Sequence, residues 1–186
     1  MEEFREEGHP RKIEINWRPY FINPATNEEG EEFNAYCKKV FGGEFPATLP
    51  GKEEGKAFTN WAMWPNTLQA QRLVHHAGEV GGADMQTKMY DILFRYIYEE
   101  GRNCSDEEVL IEIAREVGIE GAEPYLRGKE GKSYVQRAAT DATRMGITGV
   151  PFWTVYREGK EDEDPVTLSG PSSSKIFKKI IEDLSF

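Results

Sequence analysis

Apolar and polar side chains alternate along residues 13–21. Ile13, Ile15 and Trp17 are each followed by a charged or amide residue, and Pro19 closes the run. A period of two residues is typical of a half-buried β-strand, because successive side chains point to opposite faces. The pattern therefore predicts a strand over Ile13–Phe21.

Apolar residues recur at helical spacing through the middle of the chain. The spacing predicts helices over residues 28–41, about 67–77, about 83–100, 106–117 and 134–145. Residues 42–66 are rich in glycine and proline and are predicted to be mostly loop. Gly78 is expected to end the second helix, and Ser105 with Glu108 is expected to begin the fourth as a capping box. Residues 118–124 carry two glycines and a proline and are expected to be irregular.

The pattern changes after Gly146. It predicts a strand over residues 152–156, a turn over 157–164, a strand over 166–169 and an amphipathic helix over 173–184. The order strand, helices, hairpin, helix predicts an α/β domain formed by residues 1–27 and 146–186. Residues 28–145 are then a helical insertion within that domain.

Charge and hydropathy narrow the class of protein. The 186 residues carry a net charge of -10, and the mean hydropathy is -0.65. An excess of acidic residues repels phosphate backbones, which argues against nucleic acid as a partner. No apolar run approaches the roughly 20 residues that span a bilayer, and residues 1–7 carry no apolar signal-peptide core. We therefore expect a cytoplasmic protein without a membrane partner.

The two cysteines do not form a redox or metal motif. Cys37 and Cys104 are far apart in sequence, with neither CxxC nor zinc-type spacing. Cys37 is predicted to be a partly buried small apolar residue. Cys104 precedes a predicted helix, where the dipole can lower a thiol pKa, but it is interpreted as an ordinary turn residue.

Four segments together resemble a known family. They are Gly146-Ile147-Thr148-Gly149-Val150-Pro151-Phe152, the run from Trp17 to Pro24, the helix start Pro65-Asn66-Thr67 followed by Ala70, Arg72 and Leu73, and Leu168-Ser169-Gly170. In order and spacing they resemble the DsbA-like branch of the thioredoxin superfamily, and more narrowly the FrnE-type cytosolic oxidoreductases. The resemblance covers about residues 10–186. Gln71, where the FrnE-type pattern usually has histidine, and Pro171, where a small residue is expected, depart from it.

The resemblance implies a thioredoxin-like fold with a helical insertion and a cis-proline loop. Sequence physics alone would assign a trans bond before Pro151, since only about 5% of folded X-Pro bonds are cis. The loop would present the Val150 backbone to a polypeptide substrate or to glutathione by strand addition. The candidate binding residues are Gly149, Val150, Pro151, Asn66, Ser169 and Gly170. We assign no catalytic residue, no metal ligand and no cofactor, with glutathione left open.

The family's strand that ends in CxxC has no counterpart among these residues. We expect a thioredoxin-like domain lacking its first strand, with Met1 as an internal methionine, a gene-model start or the start of a degenerate paralogue. Without that strand, Ile13–Tyr20 and Phe152–Tyr156 would lack ladder partners, so a homodimer is a possible outcome. Related kappa glutathione transferases and hydroxychromene-carboxylate isomerases use a serine at the equivalent place, which would also be missing.

Other residues have simpler interpretations beside their functional ones. The adjacent His75 and His76 point in different directions, so they are expected to be solvated or capping rather than metal ligands. Trp61 and Trp64 are expected to pack between subdomains, with a cleft as the alternative. Asn66 is expected to be a helix N-cap, with a cleft role as the alternative. The serines at 172–174 are expected to cap the last helix, with anion binding as the alternative.

Three functions remain open from the sequence. The first is thiol-disulfide oxidoreduction, with little dithiol activity in these 186 residues. The second is a glutathione-dependent isomerase or transferase, and the third is a non-catalytic module that binds unfolded or thiol-containing polypeptide. No sequence feature decides between them.

Overall fold

Helices dominate the chain, with four short strands between them. The computed structural model describes residues 13–43, 60–161 and 163–184. In these residues the elements are β1 (Glu31–Glu32), α1 (Phe33–Phe41), β2 (Met63–Trp64), α2 (Leu68–Phe94), a π-helix (Arg95–Glu99), α3 (Glu107–Val117), α4 (Ala122–Arg127), α5 (Lys132–Arg144), β3 (Phe152–Val155), β4 (Val166–Ser169) and α6 (Ser174–Asp183).

The elements fall into two compact units. We call Glu14–Thr140 the helical unit, and Met1–Ile13 together with Asp141–Phe186 the hairpin unit. The observed boundaries therefore lie after residues 13 and 140, the second of them inside α5. The predicted domain division at 27/28 and 145/146 stays a prediction.

The core of the helical unit lies between α2, the π-helix, α3 and α4. Leu73, Met89, Leu110 and Ile113 are fully buried there. The amphipathic sequence of α3 explains its place, since Leu110, Ile113 and other apolar residues at helical spacing are buried while the acidic positions between them face solvent. The helices predicted over the middle of the chain thus supply the core.

The break in α2 lies at Gly82 rather than at the predicted Gly78. Gly82 has φ 70° and ψ -166°, a conformation essentially reserved for glycine. The Gln86 side-chain amide donates to the Val74 carbonyl at 3.4 Å, so the two halves of α2 contact one another across this break. Gly78 instead permits close packing, since a Cβ atom there would lie 2.6 Å from Nε2 of Gln86.

The predicted strand over Ile13–Phe21 is not a strand in the structure. Its alternation is correct, since Ile15 and Trp17 are half-buried while the residues between them are exposed. A strand also requires a ladder partner, and none of the described residues pairs with this segment. Trp17 instead contacts α2 through its side chain, with Nε1 donating to Thr87 Oγ1 at 3.1 Å.

Several predicted boundaries were also wrong. The first helix begins at Phe33 and not near residue 28, because Glu31 and Glu32 pair with Trp64 and Met63 in an antiparallel ribbon. The third predicted helix ends at residue 94 and continues as the π-helix. The segment 118–124, expected to be irregular, contains the start of α4, where a proline in the first helical turn is tolerated.

The predicted hairpin is present in the hairpin unit. β3 and β4 pair antiparallel with Phe152 opposite Ser169 and Val155 opposite Val166. This register places Trp153, Val155, Val166 and Leu168 on one face, and the Trp153 ring meets the α6 residue Phe177 at 5.1 Å between centroids. The apolar side of the hairpin therefore packs on α6.

No helix in the described ranges is long and apolar enough to cross a membrane.

Candidate functional site

The candidate binding residues 149–151 lie at the entrance to β3. The Val150–Pro151 bond is cis. Val150 is 49% exposed, and Gly149 and Pro151 are exposed as well. No hydrogen bond links the Val150 backbone to another described residue. Its N–H and C=O groups are thus open to an extended ligand.

The opposite strand holds this loop in place. The Gly170 N–H donates to the Pro151 carbonyl at 2.9 Å, one step beyond the Phe152–Ser169 pair. Gly170 has φ 85°, a left-handed conformation that favours glycine. Three of the six candidate binding residues, Pro151, Ser169 and Gly170, are therefore neighbours in the structure.

The serines before α6 do not cap the helix as expected. Ser173 occupies the N-cap position, but its side chain makes no cap hydrogen bond. Ser172 Oγ donates instead to the Gly170 carbonyl at 3.4 Å. The prediction that these hydroxyls satisfy the first N–H groups of α6 is therefore wrong.

Asn66 belongs to the helical unit and holds three segments of it together. Its Oδ1 accepts from the Leu68 N–H at 3.1 Å, and its Nδ2 donates to the Thr26 carbonyl at 2.9 Å. Its own N–H donates to Ser105 Oγ at 2.7 Å. The N-cap position falls on Thr67, whose side chain makes no capping hydrogen bond. Asn66 thus serves the helix start from one residue earlier.

The two candidate tryptophans are packed in an aromatic cluster. Trp61 stacks on Phe33 with ring centroids 4.1 Å apart, and Trp64 stacks on Tyr36 at the same distance. The Trp64 Nε1 group donates to Thr26 Oγ1 at 3.2 Å. Neither tryptophan lines the two best-formed cavities of the described residues. Their contacts are those of packing residues.

Both thiols are sequestered from solvent. Cys37 and Cys104 are fully buried, and neither forms a disulfide. Burial raises the pKa of the Cys104 thiol to about 12, a larger effect than the opposing charge of Arg102. Cys104 lies in the turn before α3, as predicted, and its side chain is also part of the core. Burial excludes an activated thiolate at neutral pH.

The adjacent histidines stack on two tyrosines. His75 lies on Tyr134 at 4.0 Å between centroids, and His76 lies on Tyr125 at 4.2 Å. The carboxylate of Glu79 lies 3.6 Å from His75 Nε2 and 3.9 Å from His76 Nδ1. The predicted roles were solvated or capping. Both rings are half-buried and not fully solvated, and His76 Nε2 lies 3.1 Å from the Glu120 carbonyl oxygen, within hydrogen-bond distance of the backbone.

An open groove of about 260 Å³ lies beside His75. It is lined by residues on both sides of the α2 break and by Glu14 and Asn16. A smaller cavity of about 10 Å³, between Trp17 and α2, holds at most one water molecule. None of the six candidate binding residues lines either space. Within the described residues, no group of three or more His, Cys, Asp or Glu is placed to hold a metal ion.

The sequence analysis missed two polar anchors of the helical unit. Arg72 is 99% buried, since only 1% of it is exposed, and it binds the turn after α4. Gln71, noted only as a departure from the family pattern, accepts from the Tyr90 hydroxyl at 2.8 Å. The sequence signal that could have identified Arg72 is its place among the apolar residues of a predicted helix.

One family model matches nearly the whole chain. The family described as DSBA-like thioredoxin domain matches residues 2–182. The uncharacterized protein YwbO of Bacillus subtilis (strain 168) is 24% identical in an alignment of 186 positions that covers 97% of this chain and 86% of YwbO. The cytosolic disulfide reductase DsbM from Pseudomonas aeruginosa is similar in structure, with a TM-score of 0.48 and 22% identity over 64% of this chain. The match spans 60% of DsbM, less than two thirds of its length.

Proposed function

The chain belongs to the family of DsbA-like thioredoxin domains, and from that premise we propose that it serves thiol-disulfide oxidoreduction by binding the extended backbone of a polypeptide substrate at Val150. Within the family we assign it to the FrnE-type group, on the four sequence segments that resemble that group. The observation that carries the binding proposal is the exposed, unbonded backbone of Val150 at the entrance to β3.

The hydrogen bonds of the loop support this assignment. The Pro151 carbonyl is used by Gly170, whereas the N–H and C=O groups of Val150 have no partner among the described residues. Two backbone groups on one residue match the pairing that an added strand makes. A substrate segment that pairs with Val150 therefore gains two hydrogen bonds without displacing an existing one.

Neither thiol of the 186 residues is proposed as a nucleophile. Exchange begins with attack by a thiolate on a disulfide sulfur, and Cys37 and Cys104 are both buried without access to a substrate. We therefore propose that these residues supply the substrate-binding part of the reaction and not its dithiol. Two free thiols also fit a reducing compartment, which supports a cytosolic location for the protein.

Binding of an unfolded polypeptide tests the proposal. The probe is fluorescently labelled, reduced and carboxymethylated α-lactalbumin, followed by anisotropy. Val150→Pro removes the N–H donor, and a lost hydrogen bond of about 1.4 kcal/mol weakens binding about tenfold. Val150→Ala keeps the backbone donor and is expected to bind like the wild type.

The controls separate misfolding from lost recognition. Both variants must keep the far-ultraviolet circular dichroism of the wild type. A folded Val150→Pro protein that binds the probe with unchanged affinity contradicts the proposed site. If glutathione binds instead, and its binding is lost on Gly149→Leu, the glutathione-dependent alternative replaces the polypeptide one.

An insulin-reduction assay tests the assignment of the thiols. The 186-residue chain is expected to show little turnover, and Cys37→Ser and Cys104→Ser are expected to leave that level unchanged. Turnover that disappears in either variant would show that a buried cysteine reacts after all.

A further inference from the structure

Aromatic rings follow one another without a gap through the helical unit. The ring centroids of Trp17 and Tyr90 are 4.6 Å apart, and those of Tyr90 and Phe94 are 5.9 Å apart. Phe94 lies 5.6 Å from Tyr98, which in turn meets Trp61 at 4.8 Å. Residues 90, 94 and 98 recur every four positions, so they share one side of the helix.

The series continues into the cluster around α1. The rings of Trp61 and Trp64 are 5.8 Å apart, and Trp64 stacks on Tyr36 at 4.1 Å with an interplanar angle of 9°. We call the seven rings from Trp17 to Tyr36 the aromatic path. Its members are half-buried or buried, except Phe94, which is 46% exposed.

The composition of the path suits electron transfer as well as packing. Aromatic pairs add about 0.5–1.5 kcal/mol each beyond the area they bury, and polar groups of Trp17, Tyr90 and Trp64 make hydrogen bonds. Six of the seven rings are also tryptophan or tyrosine, the aromatic side chains that lose one electron most readily. Phe94 is the single exception, and it has a tyrosine on each side.

We propose that the aromatic path transfers oxidising equivalents, so that a one-electron oxidation of Trp17 moves through Tyr90 and Tyr98 toward Trp61 and Tyr36. The co-reactant is a small inorganic radical oxidant. The inference does not depend on the polypeptide-binding proposal, because it uses only residues of the helical unit.

The transfer balances in electrons and protons. An azidyl radical takes one electron from the Trp17 indole and becomes azide, and the Nε1 proton leaves to water, which gives a neutral tryptophanyl radical. That radical then takes one electron from Tyr90 while Tyr90 releases its hydroxyl proton and the indole nitrogen takes a proton up. The products are intact tryptophan and a tyrosyl radical.

Pulse radiolysis in azide solution tests the first step. In a protein with Trp61, Trp64 and Trp153 replaced by Phe, oxidation begins at Trp17. The tryptophanyl absorbance is expected to convert to tyrosyl absorbance at a rate independent of protein concentration. Tyr90→Phe in this background is expected to slow the conversion at least tenfold, because the next tyrosine of the aromatic path, Tyr98, then lies beyond Phe94.

Tyr20→Phe is the matched control for this step. Tyr20 is three residues from Trp17 in sequence but outside the aromatic path, so its replacement is expected to leave the rate unchanged. Equal rates in the Tyr90→Phe protein and its parent would overturn the proposal, as would a rate proportional to protein concentration.

A second measurement uses the wild-type chain and does not depend on the stability of the triple variant. Radicals formed by azidyl oxidation are trapped with 2-methyl-2-nitrosopropane, and the adducts are mapped by mass spectrometry. Adducts are expected on Tyr90, Tyr98 and Tyr36. If they instead follow exposure and concentrate on Tyr156, which is 38% exposed and outside the path, transfer along the path is refuted.

Discussion

Arg72 is expected to be the polar residue on which the helical unit depends most. All five N–H groups of its guanidinium have acceptors. Nε donates to the Glu130 carbonyl at 2.8 Å, and Nη2 donates to the carbonyls of Tyr125 at 2.6 Å and Gly128 at 3.1 Å. Nη1 donates to the Leu126 carbonyl at 3.1 Å and to the Gln69 side chain.

These carbonyls belong to the end of α4 and the turn that follows it. The last carbonyls of a helix have no partner within the helix, and this turn contains no other side chain that reaches four of them. Arg72→Met keeps much of the aliphatic volume and removes every donor. Four carbonyls then lose this partner, two in buried and two in partly buried hydrogen bonds. The cost is about 1–3 kcal/mol for each buried one left unsatisfied.

The net loss is smaller than the sum. Removing the guanidinium also removes the cost of burying an unpaired charge, several kcal/mol in magnitude, and water reaches part of the turn once the side chain is shortened. We expect a net destabilisation of about 3 kcal/mol, in the upper range for single substitutions. With a urea m-value of about 2 kcal/mol/M, the unfolding midpoint falls by about 1.5 M.

Urea unfolding followed by circular dichroism measures this change. Arg137→Met, on the exposed side of α5, is the matched control and is expected to change stability by less than about 0.5 kcal/mol. Arg72→Lys offers three donors on one nitrogen and is expected to lie between the two. If Arg72→Met and Arg137→Met share one midpoint, the carbonyls of this turn do not need the guanidinium.

Three further outcomes follow from the same reasoning. Tyr125 has a buried hydroxyl with no hydrogen-bond partner among the described residues, so Tyr125→Phe is expected to stabilise the protein by up to about 1 kcal/mol in urea unfolding. Tyr90→Phe removes a hydrogen bond and is expected to destabilise it by about the same amount. If Tyr125→Phe lowers the stability instead, the Tyr125 hydroxyl has a partner outside the described residues. Gly82→Ala is expected to lower the thermal midpoint by more than Gly118→Ala, because the Gly82 conformation costs a side chain about 1–3 kcal/mol; similar midpoints would contradict the assigned break. Burial raises the pKa of the Cys104 thiol to about 12, whereas the thiol of the unfolded chain ionises above a pH of about 8.5. Between these two pKa values only the unfolded thiol is ionised, so the free energy of unfolding is expected to fall as the pH rises from about 8.5 to about 12. Urea midpoints measured from pH 7 to 10 check this, because they are expected to fall less in Cys104→Ala than in the wild type. Rapid reaction of the native protein with Ellman's reagent would refute the burial of the thiols.

The sequence predicted the thioredoxin-like fold class and most of the helices, and both are confirmed. The prediction of the fold was based on four short segments in a fixed order. Such segments are informative because each one requires a particular backbone conformation. The hairpin was predictable because its apolar residues alternate on one face, and the register of Trp153 opposite Leu168 follows from that alternation. The binding role of Val150 remains a prediction.

The sequence did not predict which backbone segments pair with one another as β-strands. Residues 13–21 alternate in burial as a strand does, yet a strand exists only where a second segment bonds to its backbone. Glu31 and Glu32 illustrate the opposite case. They lie in a sequence of helical character, but the backbone of residues 63–64 pairs with them, so the helix begins at Phe33. The local sequence pattern determines which side chains face inward. Whether the segment forms a strand depends on hydrogen bonds to a backbone segment that is distant in sequence.

The start of α3 shows the same limit for capping residues. Ser105 and Asp106 are both good N-caps, so the sequence offers two adjacent solutions. Ser105 Oγ is committed to the N–H of Asn66, 39 positions away, which leaves Asp106 to accept from the Glu108 N–H at 2.9 Å. The Glu108 carboxylate, expected to complete a capping box, pairs with Arg127 at 2.8 Å. A cap is therefore selected by what the competing side chain does elsewhere. The helix predicted to begin at residue 106 begins one residue later, because the start of another helix uses the serine.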